Sequence, residues 1–248
     1  MHNDGTETTH TYALDIETCA WAPGVERRLA QPFYPRANLK DEKKKAADVE
    51  RQKHKAAADA ALSPLTGQVA LVTLTDETGV QTFDVDLDLD ESAVLSAVAA
   101  YCSTAKRVVT FNGTSFDLPF LRARAMACGV RLPACLTDTR RYSPLHLDLR
   151  EVLTGGDRYG KGKLEDWCFL AGIEAIPTPM PNAETAGTFV PPPWDPDAKP
   201  EPGRAVTGAD IPGLIEAGEW DAVREYAADD GLLTWALYQA LRQAGVVT

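Results

Sequence analysis

Asp15-Ile-Glu17 sets two carboxylates two residues apart within Thr11-Tyr-Ala-Leu-Asp-Ile-Glu17, whose alternation predicts a strand. On a strand such a pair shares one face. Ala13, Leu14 and Ile16 around it place the acids at or near a buried sheet. Two like charges there are costly unless something positive neutralises them, and a divalent cation is the usual solution. Taken alone, the pair fits a solvated edge strand as well as it fits a metal site. Tyr226 and Asp230, four apart in a predicted C-terminal helix, present a phenol and a carboxylate on one face. By themselves they read more simply as a solvated face with a half-buried tyrosine. Asp117 opens a helix after Asn112-Gly-Thr-Ser-Phe116, where the helix dipole favours any acid.

The elements that must hold these side chains follow from periodicity and turn residues. The reading gives strands at 11–17, 68–75, 79–85, 106–112 and 146–149, with 68–75 and 79–85 paired as a hairpin. It gives helices at 91–101 (capped by Asp90), 116–128 (stopping at Gly129), 164–171 and 222–244, with a short helix through Leu153. Residues 21–35 read as a loop and 38–62 as a solvent-rich helix whose apolar positions are mostly alanine. Residues 177–203 carry nine of the 17 prolines and read as an irregular loop. This order predicts one mixed α/β sheet with helices on its faces, and it does not fit regular βαβ winding.

In combination and in order, these residues resemble the DEDD (DnaQ-like) superfamily of 3′→5′ exonucleases, in the tyrosine (DEDDy) branch whose third motif is Y-x-x-x-D. Asp15 and Glu17 match the first motif, Phe111-Asn-Gly-Thr-Ser-Phe-Asp-Leu-Pro-Phe-Leu121 the second, and Tyr226 with Asp230 the third. The chain looks like stand-alone relatives of the proofreading domain of family-B DNA polymerases. Arg141–Leu149, Lys163–Trp167 and Thr207–Trp220 add to the likeness. It covers the first strand and most of 65–241, leaving 22–62 and 177–203 as insertions in a single domain spanning 1–248.

The resemblance implies an RNase H-like fold and two-metal phosphodiester hydrolysis at the 3′ end of a single strand, with DNA preferred over RNA. Asp15 would bridge two ions, Glu17 and Asp230 would complete one site, and Asp117 would serve the other. All-carboxylate ligation suits Mg²⁺ or Mn²⁺ and not zinc. Tyr226 would orient the attacking water, since a phenol with a pKa near ~10 is a poor base at neutral pH. By the same likeness Thr18, Asn112 and Phe116 would hold the terminal nucleotide. The implied partners are nucleic acid with a free 3′ end and a separate polymerase or replication protein. A ribonuclease and an inactive nucleic-acid-binding accessory module are the rival readings. The full set of five site residues argues against the latter.

Composition is consistent with this. The chain has 248 residues, 44% hydrophobic and 25% charged, within the range of ordinary globular proteins. No apolar run approaches the roughly 20 residues of a membrane span. Met1 to Glu7 show neither a basic flank nor an apolar stretch, so the expected compartment is the cytoplasm, with no membrane partner. Five scattered cysteines without a C-x-x-C pair predict buried free thiols. Net charge is −11, against a protein that coats nucleic acid. Residues 36–55 nevertheless hold eight Lys or Arg against four Asp or Glu, a local +4 in a chain otherwise at −15.

Some signals read as decoys. Asp84 to Asp90 alternates acids like a calcium loop but has Leu89 and Leu95 where glycine and glutamate are needed, so a strand end with outward acids is expected. Gly160-Lys-Gly-Lys163 reads as a turn or a phosphate contact. Asp148 and His146 read first as hydrogen-bonding groups of the fold.

Overall fold

The computed structural model describes residues 10–86, 90–140, 143–157, 159–174 and 205–248. The proline-rich insertion expected at 177–203 lies outside them, as do residues 87–89 of the Asp84–Asp90 stretch and 141–142 of one supporting motif. The described chain divides into two compact units. One is drawn from 10–17, the residues between 69 and 174, and 223–248; the other is drawn from 18–68 and 205–222.

The first unit is built on a five-stranded mixed sheet of order β3-β2-β1-β4-β5. Its strands are β1 (His10–Ala20), β2 (Gly67–Asp76), β3 (Gly79–Asp84), β4 (Ala105–Thr110) and β5 (His146–Asp148). β2 and β3 form the expected antiparallel hairpin, with Asp76 opposite Gly79. β4 runs parallel to β1, pairing Tyr12 with Val108, and β5 parallel to β4, pairing Thr110 with Asp148. Alternation sorts the side chains of β1. Tyr12, Leu14 and Ile16 join one core with Val94, Leu95 and Val98 of α3 (Glu91–Tyr101) and with Leu118 and Leu121 of α4 (Asp117–Cys128). A second core gathers Val109 with Leu149 of α6 (Leu149–Thr154), Cys168 of α7 (Leu164–Leu170) and Leu237 and Tyr238 of α9 (Trp220–Gln243). Asp15 and Glu17 thus lie on the opposite face of β1 from Leu14 and Ile16.

Caps follow the sequence. Asp90 accepts from the Ala93 N–H at 2.8 Å, and Asp148 caps α6. A buried ion pair ties three elements together. Glu91 accepts from Arg124 Nη2 at 2.6 Å and from the Val69 N–H at 2.7 Å, joining α3, α4 and β2. The cysteines are free, four of them buried and Cys128 half-buried. A short helix, α5 (Ala134–Thr137), was not foreseen.

Other expectations need correcting. Asp84 does not point outward: it is buried, and Arg224 Nε donates to it at 2.8 Å while Nη2 reaches Asp86 at 2.6 Å. The acids at this strand end anchor α9, an arrangement that required knowing which helix lies there.

In the second unit, residues 21–35 are not wholly a loop, because α1 spans Ala22–Leu29. Pro23 falls in the first turn, where its missing N–H costs nothing, and Arg27 and Arg28 stand at the negative helix end. Gly24, within the stretch expected to be a loop, is required instead by proximity. A Cβ there would lie 2.4 Å from the Leu65 carbonyl oxygen. The basic helix α2 runs Glu42–Ala58, started by Asp41, which accepts from the Lys44 N–H at 2.9 Å. It breaks at Asp59 before a 3₁₀ turn at Ala60–Leu62, so it is shorter than the helix expected over 38–62. Its buried residue is Asp48, not an alanine. A second unforeseen helix, α8 (Ile211–Ala217), also places a proline in its first turn. No described helix is long and apolar enough to cross a membrane.

Candidate active site

Asp15 and Glu17 project from β1, and Asp230 from α9. One carboxylate oxygen from each lies within 4.8 Å of the others. The convergence depends on how closely α9 can approach the sheet. Gly231 faces β2, where a Cβ would stand 2.6 Å from Thr75 Oγ1 and 3.2 Å from Thr73 Oγ1. Thr73 Oγ1 also donates to the Ala227 carbonyl at 3.4 Å, one turn earlier on the same helix. Glycine at 231 is therefore a condition for Asp230 to reach β1, although it weakens the helix interior.

Asp117 stands outside that set of three oxygens but within electrostatic reach of it. It is buried at the first position of α4, just beyond the end of β4. Asp148 fixes the loop leading to it, accepting from the Asn112 N–H and the Thr114 N–H at 2.9 Å each. That is the fold role expected of Asp148. Asn112 takes the left-handed conformation at φ 69°, which asparagine tolerates better than most residues. His146 Nε2 lies 2.9 Å from Thr110 Oγ1, and burial pulls its pKa down to about 4.

The site is electrostatically strained as it stands. Burial, followed by the charges of Asp117, Glu17 and Asp230, pushes Asp15 well above the carboxylate range. Burial and then Asp230 and Asp117 do the same to Glu17. Asp117 rises to about 7, chiefly through burial, while its own backbone N–H and that of Ile16 oppose the shift. Asp230 rises to about 6 through burial, opposed by a hydrogen bond from Tyr226. The Tyr226 phenol is driven above its ordinary value by burial and by the Asp230 and Glu17 charges. Four acids hindered from ionising by burial and by neighbouring carboxylates are what a divalent cation would relieve. The all-oxygen donor set fits Mg²⁺ or Mn²⁺.

The residues expected to hold a nucleotide are placed as follows. Thr18 is buried, and its hydroxyl donates to the Ala61 carbonyl at 2.7 Å. The Asn112 side-chain oxygen accepts from Arg150 Nη1 at 3.1 Å. Phe116 is half-buried against Phe120, their centroids 5.6 Å apart. Sequence reasoning did not single out Glu165 of α7, whose charge adds to the rise at Asp230. It lies in the Lys163–Trp167 stretch, which offered a motif likeness but no role for the residue.

Residues 63–175 match the family described as a predicted 3′-5′ exonuclease related to the exonuclease domain of PolB. The matched stretch includes Asp117 and Asp148 but neither β1 nor α9. In structure the chain is similar to the family B DNA polymerase of the hyperthermophilic archaeon Pyrobaculum calidifontis, with a TM-score of 0.56 and 15% sequence identity over 95% of this chain. The chain spans 25% of the length of that polymerase. At this identity the likeness is one of fold, the α/β, RNase H-like arrangement of a mixed five-stranded sheet with flanking helices. No curated protein matches the chain.

Proposed function

We propose that this chain is a metal-dependent 3′→5′ exonuclease of the tyrosine branch, a single domain that hydrolyses single-stranded DNA from its 3′ end. The observation that carries the proposal is the convergence of Asp15, Glu17 and Asp230 within 4.8 Å, with Asp117 in electrostatic contact. The description of the family matched by 63–175, and the DNA polymerase that shares the fold, favour DNA as substrate and a polymerase as working partner.

Asp15, Glu17, Asp117 and Asp230 would hold two divalent ions, Mg²⁺ or Mn²⁺. Such ions supply charge stabilisation for the attacking and leaving oxygens and lower the pKa of a bound water. Water oxygen bonds to phosphorus, the P–O3′ bond breaks, and the products are a nucleoside 5′-monophosphate and a strand one nucleotide shorter with a new 3′-hydroxyl. Tyr226 is no base at neutral pH, given the direction of its shift. Its hydroxyl donates to Asp230, holds that carboxylate ionised and oriented, and aligns the nucleophile. Asp148 holds the Asn112–Thr114 loop that leads to Asp117, and Asn112 and Phe116 would contact the terminal nucleotide, as would Thr18, next to Glu17 in the sequence.

The test is digestion of 3′- and 5′-end-labelled oligonucleotides, DNA and RNA, with Mg²⁺, with Mn²⁺ and with chelator. Stepwise release of mononucleotides from the 3′ end of DNA, abolished by chelator and by Asp15→Asn, is the expected result. Faster digestion of RNA would make the chain a ribonuclease. Binding without cleavage under every metal condition would make it an accessory module.

A further inference from the structure

Asp48 of α2 is an acid 4% exposed in the most basic stretch of an acidic chain. Its carboxylate accepts from the Arg36 N–H at 2.9 Å, Arg36 Nε at 3.1 Å, Gln52 Nε2 at 3.0 Å and Arg51 Nη2. Gln52 Nε2 also donates to the Tyr34 carbonyl at 2.9 Å. One buried carboxylate therefore fixes two guanidinium groups and the backbone of an aromatic residue. Their outer surfaces face solvent: the side chains of Arg36 and Arg51 are 60% and 57% exposed, and Tyr34 is 74% exposed. Lys55, one turn beyond Arg51, completes the rim of a depression of about 420 Å³ lined by Tyr34, Arg36, Asp48, Arg51, Gln52 and Lys55.

A solvated helix face would need none of this. Its lysines would pair along the helix, as Lys45–Glu42, Lys53–Glu50 and Lys55–Asp59 do here at 2.7, 2.8 and 2.6 Å. Around Asp48, by contrast, two arginines share one carboxylate, so the cluster keeps positive charge in fixed geometry. Two held guanidinium forks suit the oxygens of a phosphodiester. An exposed phenol ring on a held backbone beside them offers a stacking surface, which any base can use. The combination recognises a backbone phosphate and its base without reading sequence.

We infer that the Tyr34, Arg36, Arg51 and Lys55 depression binds one phosphate and one base of a single-stranded nucleic acid, a holding site made of residues other than the acidic cluster. The inference deepens the exonuclease reading and rests on it for the identity of the strand as substrate. Its test is nevertheless independent of cleavage. Fluorescein-labelled dT12 and U12 are titrated by anisotropy, without divalent ions, into intact Asp15→Asn chain with and without further changes. Tyr34→Ala with Lys55→Gln leaves every contact of the Asp48 carboxylate in place and removes one exposed ion pair, Lys55–Asp59, whose loss costs little, so it tests the surface. Arg51→Gln tests the phosphate fork, and unchanged melting temperatures check each variant. Lys106→Gln, an exposed lysine on β4, controls for charge alone.

The expected result is about 10-fold weaker binding for the double variant. Each cation removed should also lower the salt slope of log Kd by about 0.7, the value for single strands. Tyr34→Ala alone should weaken binding of the oligonucleotides but not of inorganic polyphosphate, which has no base to stack. Unchanged affinity for both oligonucleotides in the double variant overturns the holding site, and so does a loss matched by Lys106→Gln. Wild-type digestion is scored separately. Cleavage without dependence on the depression sinks this inference alone, and binding through it without any cleavage sinks the exonuclease reading alone.

Discussion

At the scale of single residues, the site separates charge from orientation. Asp15, Glu17, Asp117 and Asp230 supply negative charge that burial makes expensive, whereas Tyr226 supplies one hydrogen bond to Asp230. Tyr226→Phe keeps the ring and its packing and deletes only that bond. The expected outcome is a fall on the order of 100-fold in the single-turnover rate, the scale of a misplaced nucleophile, with KM for dT12 nearly constant. Asp230→Ala removes one of the proposed metal ligands and should in addition weaken the metal dependence. A wild-type rate in Tyr226→Phe would remove the phenol from the mechanism and leave the four acids.

At the scale of elements, two contacts decide whether the site assembles. Gly231 lets α9 approach β2, and a methyl group there meets the buried Thr75 hydroxyl on a stiff side chain that cannot yield. Gly231→Ala should cost about 1–3 kcal/mol in urea unfolding, despite the better helix propensity of alanine, and should lower activity by displacing Asp230. A stabilised variant with full activity would show that the approach is not limiting. The Glu91–Arg124 pair, both side chains buried, locks α3 and α4 against β2. Arg124→Met leaves the Glu91 carboxylate buried without its countercharge and should cost about 3–5 kcal/mol. Since the pair lies apart from the acidic cluster, kcat at a temperature where the variant is folded should be unaffected.

At the scale of the molecule, the acidic cluster is expected to link stability to pH and, on the proposed reading, to metal. The folded-state values of Asp117 and Asp230, about 7 and about 6, lie above the ordinary carboxylate value near ~4. Groups raised in this way add stability below the unfolded pKa and lose it as pH rises through the folded one. The metal-free protein should therefore lose stability from these groups between about pH 4 and 7. His146, lowered to about 4, acts in the opposite sense: its contribution is present above about pH 6.5 and lost as pH falls. Melting curves of wild type and Asp117→Asn across this range, with chelator, separate the two. The difference between them should grow toward neutral pH in favour of the variant. Millimolar Mn²⁺ should stabilise the wild type most at neutral pH, where it binds the ionised, folded site. A pH-independent difference would mean that the cluster is not strained.

Elements with strong local signals, and the acids that belong to them, were legible in the sequence. Alternation marked β1, the Asp76–Gly79 turn marked the hairpin, Asp90 and Gly129 marked helix ends, and spacing put Asp15 with Glu17 and Tyr226 with Asp230. These are short-range facts, set by the periods of strand and helix. What lies between distant segments was decided by tertiary structure alone. Pro23 and Gly24 look like a loop until the Leu65 carbonyl is seen to need the space. Gly231 looks like a weak point in a helix until Thr75 is opposite. Asp84 looks solvated until Arg224 arrives from α9, and Asp48 looks like one charge among many until two arginines close over it. The meeting of Asp15 and Glu17 with Asp230, more than two hundred residues away, belongs to the same class. A carboxylate carries no mark of its burial or its partner in the sequence, because both are set by the packing of elements far apart along the chain.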